Sequence, residues 1–178
     1  MSIQCWFICL CCLILSTKIN ASDATFIRED TFRGLPFGAS IDDAKKTQWE
    51  LTPSNDAGGE KARFQCYIRT DEQKTLGDIN LLEITYYFLD GKFYGVLLQA
   101  ADGSQTEILK QALVSIRGDP LRTLAPAGGM VWIGPSSTAI LQRNQETGEG
   151  SVLIVGNALQ QNYESYVKDA GGKISKDL

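Results

Sequence analysis

Asp90-Gly91, set between Leu81–Leu89 and Lys92–Ala100, constrains the fold more than any other stretch of the chain. The flanking runs are rich in Tyr, Phe, Ile, Leu and Val. Asp-Gly turns two such runs back on each other, because Gly accepts φ > 0 and the Asp carboxylate bonds to nearby backbone. The stretch predicts a β-hairpin, with Gly91 left-handed in either of two registers. A two-residue turn places Leu82, Ile84, Tyr86 and Phe88 on one face with Phe93, Gly95, Leu97 and Gln99. A type I turn with Gly91 as a bulge pairs Phe88 with Lys92 and sets Leu82, Ile84 and Tyr86 opposite Leu98, Val96 and Tyr94. The second register is favoured, since it matches apolar to apolar at three successive rungs and a one-residue slip would turn a strand's whole apolar set to the wrong side. Both leave Glu83, Thr85 and Tyr87 on the opposite, half-apolar face.

The N-terminus is read apart from the fold. Cys5–Leu15 is an unbroken apolar run of 11 residues followed by small residues through Ala24. That is too short to span a bilayer and the right length for the core of a signal peptide, so residues 1–21 are expected to be cleaved between 21 and 24. No membrane span remains after cleavage, and a periplasmic or secreted location follows. Four of the five cysteines leave with that segment, so Cys66 has no partner for an internal disulfide. Phe64, Cys66 and Ile68 share one face of a strand, which predicts a buried thiol. With Lys18 removed the mature chain carries 16 basic and 21 acidic residues, a net −5. Such a surface repels nucleic acid and anionic lipid.

The remaining 22–172 are expected to form a single α+β domain, with 173–178 a tail. Gly34, Pro36 and Gly38 keep Thr25–Phe37 extended. Ser40 is placed to cap a short amphipathic helix carrying Ile41, Ala44 and Gln48-Trp49 and ending before Pro53, with Asp42 and Asp43 in its first turn, a simpler role for that acidic pair than metal or acid–base chemistry. Thr52–Ala62 reads as loop, Ala62–Arg69 as strand and Thr70–Asp78 as loop. After the hairpin, Ser104 through Glu107 has the pattern of a capping box, opening a helix with the stripe Ile108, Leu109, Ala112, Leu113 and Ile116 that stops at Gly118-Asp119-Pro120. Leu121–Gly129 reads as loop. Strands Met130–Ile133, Thr138–Arg143 and Ser151–Gly156 follow, and Asn157 with Gln160 is placed to cap a last helix carrying Leu159, Tyr163, Tyr166 and Val167. The repeated order, helix then three strands, suggests two such units and a mostly antiparallel sheet of about six strands with helices on one face.

The sequence excludes much chemistry. It has no His, which removes imidazole bases, Ser-His-Asp and Cys-His nucleophile systems and imidazole metal sites. Ser165-Tyr166-Val167-Lys168 matches Ser-x-x-Lys without its companion motifs, and Asp78-Ile79-Asn80 begins a calcium loop without its Gly or closing Glu. No metal site and no cofactor are implied. A two-carboxylate enzyme pocket, or a small-ligand pocket, stands as the alternative to a binding function without catalysis.

Phe32-Arg33-Gly34-Leu35-Pro36-Phe37-Gly38, Tyr87-Phe88-Leu89-Asp90-Gly91-Lys92-Phe93 and the Gly118-Asp119-Pro120 stop carry a resemblance. The chain resembles a loose group of uncharacterised secreted or periplasmic bacterial proteins with F-R-G-x-P-[W/F]-G before a helix and Y-x-F-x-D-G-K later. The resemblance covers most of the mature chain and implies an envelope location, with no catalytic residues to carry over. In element order it is similar to the β-lactamase inhibitory protein and to small outer-membrane assembly lipoproteins, which act by binding proteins. The expected partner is therefore an envelope or secreted protein. The expected contact residues are Glu83, Thr85 and Tyr87, a tyrosine beside a hydroxyl and a carboxylate on a rigid sheet face.

Overall fold

The computed structural model describes residues 30–53, 63–124, 129–165 and 168. The expected signal segment 1–21, the loop residues 54–62, Tyr166 and Val167, and the tail lie outside the described residues. In chain order the elements are β1 (Thr31–Phe32), β2 (Leu35–Pro36), α1 (Ile41–Lys46), β3 (Leu51–Pro53), β4 (Phe64–Arg69), β5 (Thr75–Leu76), β6 (Ile79–Leu89) and β7 (Lys92–Ala100). Then come α2 (Gly103–Arg117), β8 (Arg122–Leu124), β9 (Gly129–Ile133), β10 (Ser137–Arg143), β11 (Gly150–Gly156) and a 3-10 turn, Asn157–Leu159, which continues as helix over residues 160–165.

The fold is α+β. A nine-stranded sheet has the main order β3-β4-β6-β7-β11-β10-β9-β8, with β5 paired on β6 and every pairing antiparallel; β1 and β2 form a separate two-stranded sheet. Two meanders, each preceded by a helix, meet where β7 pairs with β11. The extra strands beyond the expected six lie mostly at the edges. Thr52 and Pro53, read as loop, pair with Ile68 and Tyr67, and Pro53 is tolerated because β3 is an edge. Arg122–Leu124, also read as loop, pairs with Val131 through Gly129. In both places a ladder partner overrides turn-like local composition.

The hairpin forms, in a register different from either expectation. Asp90 (φ 49) and Gly91 (φ 70) both adopt left-handed backbone, the signature of a two-residue type I′ turn. The Asp90 carboxylate is held by Arg63 through two bonds of 2.9 Å. Phe88 pairs with Phe93, after which Tyr94 is an extra residue, so that Tyr87 faces Gly95, Tyr86 faces Val96 and Ile84 faces Leu98. The bulge keeps Ile84 and Tyr86 on one face with Val96 and Leu98 while turning Tyr94 to the other. A second irregularity near Leu81 buries Leu81 and leaves Leu82 54% exposed.

Helices α1 and α2 cover one face. Leu109 and Leu113 of α2 are fully buried against Ile84, Leu98, Val152 and Ile154 in one core cluster. Each contributes about 1.5–3 kcal/mol by leaving water. Ile108 and Ile116, assigned to that stripe, are partly exposed at its margins. The cap of α2 is Asp102, whose carboxylate accepts from the Ser104 and Gln105 N–H groups, so the helix begins earlier than the Ser104 reading; Glu107 instead pairs with Lys110. Ser40 caps α1 as expected, in a capping box with Asp43, but the helix ends at Lys46, short of the expected end before Pro53, as Gln48 takes φ 66 and Leu51 joins β3. Gly118 (φ 76) ends α2, and its carbonyl accepts from the Trp132 indole at 2.9 Å. Cys66 is buried.

The two sequence motifs named above pack against each other. Phe37 stacks on Phe93 at 5.2 Å and Phe32 lies 5.9 Å from Tyr86. The backbone N–H groups of Gly38 and Ile41 donate to Phe93 and Gly91, and that of Phe93 donates to Ala39. Arg33, in the turn between β1 and β2, donates to Glu72 and to the carbonyls of Gln73 and Thr75. Glu72 also accepts from the Tyr86 hydroxyl, with Arg69 at 3.7 Å. Burial pushes the Glu72 carboxyl up, while Tyr86, Arg33 and Arg69 pull it back. Phe37 also explains Gly156: a Cβ there would meet Phe37 Cβ at 2.6 Å.

Candidate functional site

Strands β7 and β11 contain the apolar runs Val96-Leu97-Leu98 and Val152 through Val155. Alternation sends Val96, Leu98, Val152 and Ile154 into the core beneath α2 and sends Leu97 and Leu153 to the reverse face, where they stand opposite one another. Both are only half-buried, at the centre of the sheet. An antiparallel strand that is apolar on both faces has something to bury on both. Ile140, Thr138 and Ile133 extend this surface along β10 and β9, and Ile133 is 62% exposed.

The segment after β11 folds back over part of that face. Asn157 does not cap the helix; Gly156 occupies the cap position without a side-chain bond. The Asn157 side chain instead accepts from the Thr138 hydroxyl at 2.9 Å and donates to the Gly134 carbonyl at 2.8 Å, pinning the chain as it leaves the sheet. Leu159 and Tyr163 then pack on Leu89, Tyr94 and Val155. The third helix thus sits on the face opposite α1 and α2. Tyr163 stacks on Tyr94 at 5.0 Å, and Phe64 stacks on Tyr87 at 5.4 Å. Burial, with Tyr163 and Glu164 nearby, pushes the Tyr94 phenol up to about 12, and its hydroxyl donates to Gln160 at 3.3 Å.

Between this aromatic wall and the aliphatic floor of Leu97, Ile140 and Leu153 lies an open cleft of about 840 Å³. Its helix side carries Gln160 and Gln161, and its far end Thr138, Asn157 and Ile133. That volume falls in the range of small-molecule sites. Its lining side chains offer ring surface, aliphatic surface, hydroxyls and amides. A shallower groove of about 540 Å³ continues past Leu97 toward Gln99, Gln142 and Arg143.

The three residues expected to act together occupy alternate positions along β6 in different surroundings. Tyr87 lines the cleft. Thr85 is buried and donates its hydroxyl to Glu83 at 2.8 Å, and Glu83, exposed and paired with Gln99, lies beside the second groove. Sequence reasoning missed Tyr94, which only the bulge brings to this face, and Leu97 and Leu153, although their unbroken apolar surroundings were a usable signal.

Among the described residues no group of three His, Cys, Asp or Glu is placed to hold a metal ion, and no helix is long and apolar enough to cross a membrane. Comparison with protein-family models, with curated proteins and with solved structures finds no match to this chain.

Proposed function

We propose that this protein is an exported envelope module, periplasmic or secreted, that binds a ligand on the reverse face of its sheet and does no chemistry on it. The observation that carries the reading is the half-buried pair Leu97 and Leu153 on the floor of the cleft, large apolar side chains left partly uncovered at the middle of the sheet. A solvated sheet face would carry polar residues there. The alternative of a carboxylate-based pocket enzyme needs two acids converging on one cavity, whereas the cleft is lined by tyrosines, aliphatics and amides. That lining supports binding over catalysis. The apolar N-terminal run supports export, and the acidic balance of the chain favours a partner other than nucleic acid.

The test is retention of envelope components, proteins and small molecules alike, on immobilised mature protein, with a Leu97→Glu variant of native fold run in parallel. The reading expects a component held by the wild type and lost by the variant. Equal retention by both would place the function elsewhere on the surface.

A further inference from the structure

We infer that the cleft takes a small, uncharged, predominantly apolar molecule with a flat face; the inference rests on the binding reading above. Three features of the lining select that class. The floor is aliphatic, from Leu97, Ile140 and Leu153, and the wall presents half-buried ring surface from Tyr87 and Tyr163. A planar apolar body fits between such surfaces by offset stacking and dispersion. Asn157, Thr138 and Gln160 at the margins already serve the fold: Asn157 holds Thr138 and Gly134, and Gln160 accepts from Tyr94 and donates to Glu164. A strongly hydrogen-bonding ligand would have to displace those bonds. Among the described residues no Lys, Arg, Asp or Glu lines the cleft, so there an ionised ligand would lose its hydration without gaining a counter-charge. The size agrees with a small molecule, since about 840 Å³ bounded on one side by the C-terminal helix is a pocket for a single compact ligand.

The experiment compares two probes of nearly the same shape and different charge. N-phenyl-1-naphthylamine is neutral, and 1-anilinonaphthalene-8-sulfonate is its anionic counterpart. Each is titrated by fluorescence into the wild type and into Leu153→Gln, Ile140→Gln and Leu121→Ser, with native fold checked by near-ultraviolet circular dichroism. Leu121 is 69% exposed and outside the cleft, so its variant reports non-specific apolar binding. The neutral probe should saturate one site, the anionic probe should bind at least about tenfold more weakly, and each cleft variant should weaken the neutral probe by about tenfold while Leu121→Ser leaves it unchanged. Equal affinity for the two probes would overturn the neutral-ligand inference and leave the binding reading standing. Absence of saturable binding by either probe, or binding indifferent to both cleft variants, would overturn the cleft as the site.

Discussion

Leu97 stands directly opposite Leu153, and the pair marks the point where the two halves of the sheet join. On either side the order runs outward as β7-β6-β4-β3 and as β11-β10-β9-β8, each meander led by its own helix. A shift of 56 residues, 153 less 97, carries Val96 and Leu98 onto Val152 and Ile154, all four buried under the same helix face. Along the join the reverse face changes from end to end: one end carries Tyr94, Val155 and Tyr87, the other Gln99, Ser151 and Gln142. The cleft occupies the apolar end and straddles the join, with lining residues from both halves.

The hairpin turn is the first place to probe. Gly91 has φ 70, a conformation in which a β-branched side chain is strained. Gly91→Val should destabilise the protein by about 1–3 kcal/mol in urea unfolding. A midpoint equal to wild type would show that the turn is not the one described.

The latch between the N-terminal hairpin and the sheet is the second. Glu72 has a side chain 3% exposed and bonds to Arg33 and Tyr86. Glu72→Ala removes the acceptor those groups share and should cost about 3–5 kcal/mol, as breaking a buried ion pair does. Tyr86→Phe removes one hydrogen bond to a charged group and should cost less, about 1.5–3 kcal/mol. Chemical unfolding of both variants checks the order, and a smaller loss for Glu72→Ala than for Tyr86→Phe would contradict it.

Acid sensitivity is the third. The bonds from the Ser40 hydroxyl and backbone, with Lys46 beside them, lower the Asp43 carboxyl from its ordinary 3.8 to about 2. Asp102 is lowered by Ser104 and Gln105, and Asp90 by Arg63. A carboxyl that is more acidic in the folded state stabilises fully above its unfolded pKa, and the contribution is lost as pH falls through the folded value. Thermal midpoints should therefore fall between pH 4 and pH 2, values set by Asp43, and Asp43→Asn should fall less steeply over that interval. Identical slopes would deny the cap its role.

Much of this was legible in the chain because the signals were local. Asp90-Gly91 sits between strand-forming runs, Ser40 stands three residues before Asp43, and Gly118-Asp119-Pro120 has no way to continue a helix. What escaped depended on distant partners. Tyr94 is assigned to a face by a bulge that its own sequence does not announce. Leu51–Pro53 and Arg122–Leu124 become strands because β4 and β9 offer open edges. Glu83 and Thr85 bind each other, a contact that parity alone could not tell. The cleft itself needs the C-terminal helix folded onto the reverse face, and that depends on Asn157 reaching Thr138 and Gly134.

Methyl resonances give the most direct test of the central claim, that ligand is held on the reverse face of the sheet. Leu97, Ile140 and Leu153 line the cleft, while Leu98, Ile154 and Leu109 lie in the core on the other side. Titrating the neutral naphthylamine probe into methyl-labelled protein should shift the first three and leave the second three in place. Shifts confined to the core methyls, or absent from Leu97 and Leu153, would contradict the account.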